Sequence, residues 1–215
     1  MIERDYIMRM IQMLSQALAA ILFWKRQKEY PKAAGEIRKV SKQLLGIELE
    51  VLGKLSDAQM IGLLSLDPML GIGRCYAAGM LLKEEGEIAV LADRVDEGHA
   101  ALLKSLSLLA ESGLRNRGPF EAAHSAAVDD VIRELEGAEV PVHTLKKLFS
   151  YYDLTGQFAK AAPILDRAVE LEPGFAVEGS KFYSRLAARI GNEPQEGGLA
   201  KEQIEAGLSK YPSKS

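Results

Sequence analysis

Residues 143–175, with the sequence HTLKKLFSYYDLTGQFAKAAPILDRAVELEPGF, decide the fold. In the first half of this stretch the large apolar residues recur at spacings of three and four, which places them on one face of a helix; they are Leu145, Leu148 and Tyr152. Gly156 marks a turn, and a second apolar face follows with Leu165, Ala168 and Val169. Pro173 ends the second helix, because the residue before a proline disfavours helical backbone. The stretch therefore predicts a hairpin of two helices.

The spacing of this stretch resembles one tetratricopeptide repeat, a helical hairpin of about 34 residues. Nine residues stand where that family places its large, small and helix-ending residues: Leu145, Leu148, Tyr152, Gly156, Phe158, Ala161, Leu165, Ala168 and Pro173. Two positions depart from a simple match. Phe149 replaces a small residue, and Pro163 lies inside the second helix, where some family members also carry proline. The resemblance implies an all-α fold of stacked antiparallel hairpins that form a right-handed superhelix.

The same resemblance implies a place for a bound peptide, because the first helix of each hairpin lines the concave side of such a stack. In the central hairpin the residues expected to face that groove are His143, Lys146, Ser150, Asp153 and Leu154. Lys146 matches one basic position of the family's carboxylate-binding clamp, whereas Ser150 replaces the expected asparagine. We therefore expect a peptide-binding groove, with Lys146 as the residue that contacts a peptide carboxylate.

Weaker copies of the central pattern occur on both sides of it at constant offsets. The earlier copy consists of Trp24, Tyr30, Ala33, Ile37 and Val40, and the later one of Ala200, Ile204, Gly207 and Pro212. The opening residues, MIERDY, also resemble the start of an uncharacterised bacterial helical family, which implies no activity. We expect a single all-helical domain, 1–215. Within it, 1–66 is a degenerate N-terminal hairpin and connector, 67–140 contains further hairpins, and 141–212 contains the tetratricopeptide-like repeats.

The remaining helices follow from periodicity, caps and breakers. We expect an N-terminal helix over 2–25 that is buried on two sides, and a second helix over 33–45. The first helix has two apolar rows, one of Ile7, Ile11, Leu14, Leu18, Ile21 and Leu22 and one of Tyr6, Met10, Met13, Ala17 and Trp24. An apolar connector over 47–55 precedes a helix that ends at Leu64 and begins with a capping box of Ser56 and Gln59. Glycines make the start of 68–94 irregular. Further helices are expected over 96–112, which Gly113 ends, over 120–135, over 174–190, which residues 191–194 break, and over 199–211. A basic loop is expected over 114–118, and Pro119 suits a first helical position.

Composition bounds the class of protein. The chain has 215 residues, of which 47% are hydrophobic and 27% charged, and its net charge is −3. These values are typical of globular proteins and argue against disorder and against non-specific nucleic-acid binding. Charged and polar residues interrupt the longest apolar run, so no membrane span is expected. The single cysteine fits a reducing compartment, and we expect a cytoplasmic protein.

No residue pattern indicates catalysis. Glu121 and His124 have a spacing used in di-iron bundles, but no second copy occurs, so a solvated pair is expected. Cys75 is expected to be a buried, unreactive side chain. The glycines from Gly71 lack the spacing of a phosphate loop. A basic run, expected to be a solvated helix surface, comprises Lys25, Arg26, Lys28, Lys32, Arg38, Lys39 and Lys42.

The sequence therefore favours a protein that binds another protein or peptide, or a second copy of itself, and uses no metal or cofactor. Two alternatives stay open. In one, the N-terminal helix drives homodimerisation and the repeats only stabilise it. In the other, the chain is a helical-bundle enzyme with a metal or small ligand between its helices.

Overall fold

The computed structural model describes residues 2–67, 70–115, 121–189 and 198–212, with the side chains of these ranges except 2–8 and 121–123. In these ranges the chain forms eleven α-helices and one short 3-10 helix, and no β-strand. The predicted all-α class is confirmed. The chain divides into two compact units, Met1–Glu139 and Val140–Ser215. The assignment of 1–215 to one domain in three parts stays a prediction.

The described residues of the first unit form seven helices, which pack mainly as neighbouring hairpins. They are α1 (Ile2–Arg26), α2 (Tyr30–Leu45), α3 (Leu49–Lys54), α4 (Asp57–Leu64), α5 (Gly71–Leu91), α6 (Val95–Arg115) and α7 (Glu121–Glu134). Helix α1 packs against α2, α5 packs against α6, and α2 and α5 contact each other. Gly113 does not end α6 as predicted, because it is buried within the helix, which continues to Arg115. The loop predicted over 114–118 is helical at Leu114 and Arg115; its remaining residues and the helix start predicted at Pro119 lie outside the described residues.

One side of α1 is buried, not two. The buried residues of α1 are Met10, Leu14, Ala17 and Ile21. They come from both predicted rows, and their spacings of three and four form a single stripe along the helix. Met13 and Leu22 are each 41% exposed. The prediction of burial on two sides is therefore wrong for the described side chains. Tyr6 and Ile7 of the predicted rows lie outside them.

The segment between α2 and α5 contains two short helices. The predicted connector over 47–55 is instead helical over α3, because Leu49 and Leu52 lie on one face and are buried. The predicted capping box is confirmed at α4. The Gln59 backbone N–H donates to Ser56 Oγ at 3.3 Å, and the Ser56 backbone N–H donates to Gln59 Oε1 at 3.0 Å.

Helix α5 is regular from Gly71 onward, so the irregular backbone predicted for the start of 68–94 is not found at Gly71 and Gly73; residues 68–69 lie outside the described residues. Glycine inside a helix costs about 1 kcal/mol relative to alanine, but here it permits close approach of α6. A Cβ on Gly86 would lie 2.9 Å from the carbonyl oxygen of Gly98, and one on Gly98 would lie 2.8 Å from that of Gly86. Nearby, Ser105 Oγ donates to the carbonyl oxygen of Gly79 at 2.7 Å. The glycines therefore serve helix packing.

The second unit contains the predicted hairpin and a further pair of helices. Its described elements are α8 (Val142–Leu154), α9 (Phe158–Leu171), a 3-10 helix (Pro173–Phe175), α10 (Ala176–Ala187) and α11 (Lys201–Lys210). Helix α8 packs against α9, and α10 packs against α11. The hairpin over 143–175 is confirmed, and Gly156 at its turn has a φ of +72° that favours glycine. The predicted break at 191–194 lies outside the described residues.

Phe149 explains the departure from the repeat pattern. Its side chain is 4% exposed, and its ring meets those of Phe175 and Phe182 edge to face, with centroids 5.7 and 5.4 Å away. Such aromatic pairs add about 0.5–1.5 kcal/mol beyond the area that they bury. A large residue is therefore accommodated between α8 and α10.

Candidate functional site

An open cleft of about 570 Å³ lies between α2, α3, α5 and α6 in the first unit. We call it the cleft. Its size is within the range of about 300–1,000 Å³ that is typical of ligand sites. The residues that line it are Ala34, Ile37, Arg38, Leu49, Glu50, Gly53, Lys54, Leu82, Glu85, Ile88, Ala89, Arg94, Glu97, Ala100, Ala101 and Lys104.

The floor of the cleft is apolar and is built by three helices. Ile37 of α2, Leu49 of α3 and Leu82 and Ile88 of α5 are each at most 3% exposed. On α5, Leu82, Glu85 and Ala89 follow at spacings of three and four, so that they share one face of the helix. This register places a carboxylate beside the apolar floor.

The upper walls of the cleft carry charges of both signs. Arg38, Glu50 and Lys54 are exposed. Arg94 Nη1 pairs with Glu97 Oε2 at 2.6 Å, and both side chains are more than half exposed, so this pair contributes about 0–1 kcal/mol. Seven residues after Glu97 on α6, Lys104 Nζ donates to the backbone carbonyl of Leu55 at 2.5 Å, which ties α6 to the chain between α3 and α4.

Glu85 differs from the other charged residues of the cleft. It is half-buried, and it accepts no hydrogen bond and makes no ion pair with any residue that the structure describes. Burial raises the pKa of Glu85, and the charge of Glu50 raises it further, while Arg94 and Arg38 act in the opposite direction. The carboxylate therefore loses hydration without gaining a direct protein partner.

A second group of charges lies away from the cleft, where α1 meets α5. Lys25 Nζ contacts Glu84 Oε2 at 2.6 Å and also pairs with Glu87. Lys83 Nζ contacts Glu87 Oε1 at 2.5 Å. The four side chains are 4–17% exposed. The prediction that Lys25 belongs to a solvated surface is therefore wrong, because two carboxylates of α5 hold it in the interior.

These four charges compensate each other. Burial alone would raise the pKa of Glu87, but hydrogen bonds from Lys25 and Lys83 lower it below its ordinary value. Burial alone would lower the pKa of Lys83, yet its hydrogen bond to Glu87 and the charges of Glu87, Glu84 and Asp130 raise it. Two lysines and two glutamates give no net charge. We therefore interpret the group as a structural link between α1 and α5.

His124 is not the solvated residue that the sequence predicts, because its side chain is 4% exposed. His124 Nε2 lies 3.0 Å from Ser112 Oγ, and the His124 ring packs on that of Tyr76 with centroids 4.3 Å apart. Ser112 Oγ donates its single proton to the carbonyl oxygen of Ile72 at 3.1 Å. Its hydroxyl is therefore an acceptor for the imidazole, which is the reverse of nucleophile activation. The other half of the predicted pair, the Glu121 side chain, lies outside the described residues.

The residues predicted to line a peptide groove share one face of α8, and ion pairs already engage Lys146 and Asp153. Lys146 Nζ contacts Glu172 Oε1 at 2.6 Å and lies 5.1 Å from the centroid of the Phe175 ring. Asp153 pairs with Arg185 of α10. The other three predicted residues are exposed; they are His143, Ser150 and Leu154. Their role in binding a peptide stays a prediction.

The described part of the chain gives little support for other kinds of site. No group of three or more His, Cys, Asp or Glu residues there is arranged to hold a metal ion. Cys75 is fully buried, as predicted. The glycines from Gly71 begin a helix, so they form no phosphate loop. None of the described helices combines the length and the apolar character that crossing a membrane requires.

The cleft was not predicted from the sequence. The sequence contains one indication of it: Glu85 interrupts an otherwise apolar face of α5, and a charged residue on such a face is unusual in a protein core. The walls from α3 and α6 could not be predicted, because the sequence of 47–55 favours a connector and the pairing of helices is not encoded locally.

Comparison with known proteins gives one match. The family model described as Family of unknown function (DUF6483) matches residues 1–215. No curated protein and no solved structure matches the chain. The expectation of an uncharacterised family is confirmed, while its bacterial character and the resemblance to tetratricopeptide repeats stay predictions.

Proposed function

We propose that the chain, which belongs to the Family of unknown function (DUF6483) over its whole length, is a non-enzymatic binding protein whose cleft takes a segment of another polypeptide. The observation that carries the proposal is the cleft itself: an apolar floor, exposed charges on its walls and, beside the floor, a carboxylate that pairs with none of the described residues. Apolar anchors surrounded by polar contacts are the usual composition of a polypeptide interface.

The second unit supports the same kind of role by its packing. Phe149 contacts Phe182, and Asp153 pairs with Arg185, so the first helices of the two hairpins lie side by side. We interpret this unit as two stacked repeats of tetratricopeptide type, an architecture that presents the first helix of each hairpin to a ligand. The face of α8 with Lys146 is then a second candidate surface.

The rival interpretation is an enzyme that holds a small ligand or metal between its helices. The cleft differs from the usual enzyme pocket in its chemistry, because no described nucleophile and base lie within it as a hydrogen-bonded pair. We favour polypeptide binding for this reason.

Two matched glycine variants test the proposal. Gly53 lines the cleft and Gly62 lies in α4 outside it; both are exposed helical glycines, and a Cβ on either meets no atom within 4 Å. Leucine at either position should fold well, because it is the better helix former by about 0.8 kcal/mol. A random peptide library is panned on the immobilised full chain, and binding of a selected, labelled peptide is measured by fluorescence anisotropy.

We expect Gly53→Leu to weaken peptide binding at least about tenfold by filling the cleft, a loss of about 1.4 kcal/mol, and Gly62→Leu to leave it unchanged. Lys146→Ala in the same assay tests the α8 face, and an unchanged affinity for the peptide would exclude that face as its binding site. A library that returns no binder, or binders indifferent to Gly53→Leu, would refute binding in the cleft.

A further inference from the structure

The charges of the cleft differ in depth and in pairing. Arg38 and Arg94 are exposed, and water and salt screen exposed charges effectively. Lys104 is half-buried, but its ammonium donates to the Leu55 carbonyl. Glu85 is the half-buried charge for which the described residues supply neither a hydrogen-bond donor nor an ion pair. The unmet hydrogen-bonding capacity at the floor is therefore that of an acceptor.

We infer that the polypeptide bound in the cleft inserts a lysine or arginine side chain against Glu85 while its apolar neighbours cover the floor formed by Ile37, Leu49 and Leu82. This inference rests on the proposed function and names the chemistry of the ligand. An ammonium or guanidinium group would supply the charge-assisted hydrogen bonds that a carboxylate accepts most strongly. The long aliphatic part of either side chain suits an apolar floor, because only its tip is charged.

The charge of Glu50 favours the same kind of ligand. It lies close enough to Glu85 to raise the pKa of that residue, so the two carboxylates repel each other. A cation between them is attracted to both, whereas an acidic side chain would add a third negative charge. Glu50 and the wall arginines that offset this repulsion are all exposed, so solvent screens their charges and the direct contact with half-buried Glu85 carries the preference for a cation.

The test uses the panned library and a change on each side of the contact. We expect the selected peptides to be enriched in lysine or arginine next to apolar residues. Glu85→Gln, which keeps the shape of the side chain, should weaken binding of a selected peptide about tenfold or more, as loss of a charge-assisted hydrogen bond does. Glu134→Gln at the end of α7 is the control, because Glu134 is exposed and does not line the cleft, and it should change the affinity less than about twofold.

The peptide supplies an independent measurement on the unaltered protein. Replacing its basic residue by norleucine should weaken binding to the wild type as much as Glu85→Gln does, and should cause no further loss in Glu85→Gln. Selected peptides that are acidic, or whose norleucine version binds equally well, would overturn the inference. If such peptides still bind Gly53→Leu more weakly than the wild type, the proposal of polypeptide binding in the cleft is kept and only the basic side chain at Glu85 is rejected.

Discussion

At the scale of single residues, Glu85 is a case in which folding and binding place different demands on one side chain. A carboxylate that is half-buried without a direct partner destabilises the folded state, because desolvation disfavours its charged form. The same unsatisfied carboxylate is available to a ligand. Sites of this kind commonly trade stability for function.

The raised pKa of Glu85 makes a testable prediction about stability and pH. Its folded-state pKa lies above the unfolded value of 4.5, because burial and then Glu50 raise it. The residue therefore reduces stability at neutral pH, and this penalty disappears as the pH falls through the folded pKa toward 4.5. We expect Glu85→Gln to have a higher Tm than the wild type at pH 7, and the difference to close near pH 4.

Thermal unfolding followed by circular dichroism at several pH values measures this difference. Glu134→Gln provides the control, since Glu134 is exposed and its substitution should leave the difference in Tm near zero. A Glu85→Gln variant less stable than the wild type at pH 7 would show that the carboxylate is stabilised in the fold.

At the scale of helices, the packing of α5 on α6 depends on small residues at the contact. The Cβ of an alanine at position 86 would lie 2.7 Å from Leu102 Cγ and 2.9 Å from the carbonyl oxygen of Gly98. The backbone oxygen cannot rotate away as a side chain can. We expect Gly86→Ala to lower the free energy of unfolding by about 1–3 kcal/mol through overpacking, although alanine is the better helix former.

Gly35 in α2 is the matched control for this prediction, because a Cβ there would meet no atom within 4 Å. Gly35→Ala should raise the free energy of unfolding by up to about 1 kcal/mol. Urea denaturation of both variants measures the two changes in the free energy of unfolding, which we expect to have opposite signs. Stabilisation by Gly86→Ala would mean that α5 and α6 do not approach each other closely at this position.

Helices also show where sequence reasoning succeeds and where it stops. The hairpin of α8 and α9 and the cap at Ser56 were predictable, because spacing, turn and cap are encoded within one turn or one hairpin. The start of α5 and the environment of His124 were not. Gly86 disfavours a helix unless Gly98 is known to lie against it. The polar neighbours of His124 in the sequence predict a solvated side chain unless Ser112 and Tyr76 are placed beside it. The cleft could not be predicted from the sequence for the same reason, since its walls come from four helices.

At the scale of the whole molecule, self-association through α1 is the remaining alternative to binding another polypeptide. A dimer interface on a helix requires one continuous apolar stripe. The exposed large apolar residues described on α1 are Met13, Leu22 and Phe23. At about 100° per residue, Met13 and Leu22 point about 180° apart, and Phe23 points in a third direction. The described part of α1 therefore offers no single stripe for a partner.

We accordingly expect the full chain to sediment as a monomer of 23.5 kDa at micromolar concentration. Phe23→Glu, which places a charge on a side chain that is 53% exposed, should leave the sedimentation coefficient unchanged. Analytical ultracentrifugation of both proteins over a tenfold range of concentration makes the measurement. A wild-type dimer that Phe23→Glu converts to monomer would establish α1 as an interface. The panning experiment would then need a dimer-deficient background, because a second copy of the chain would be a competing occupant of its surfaces.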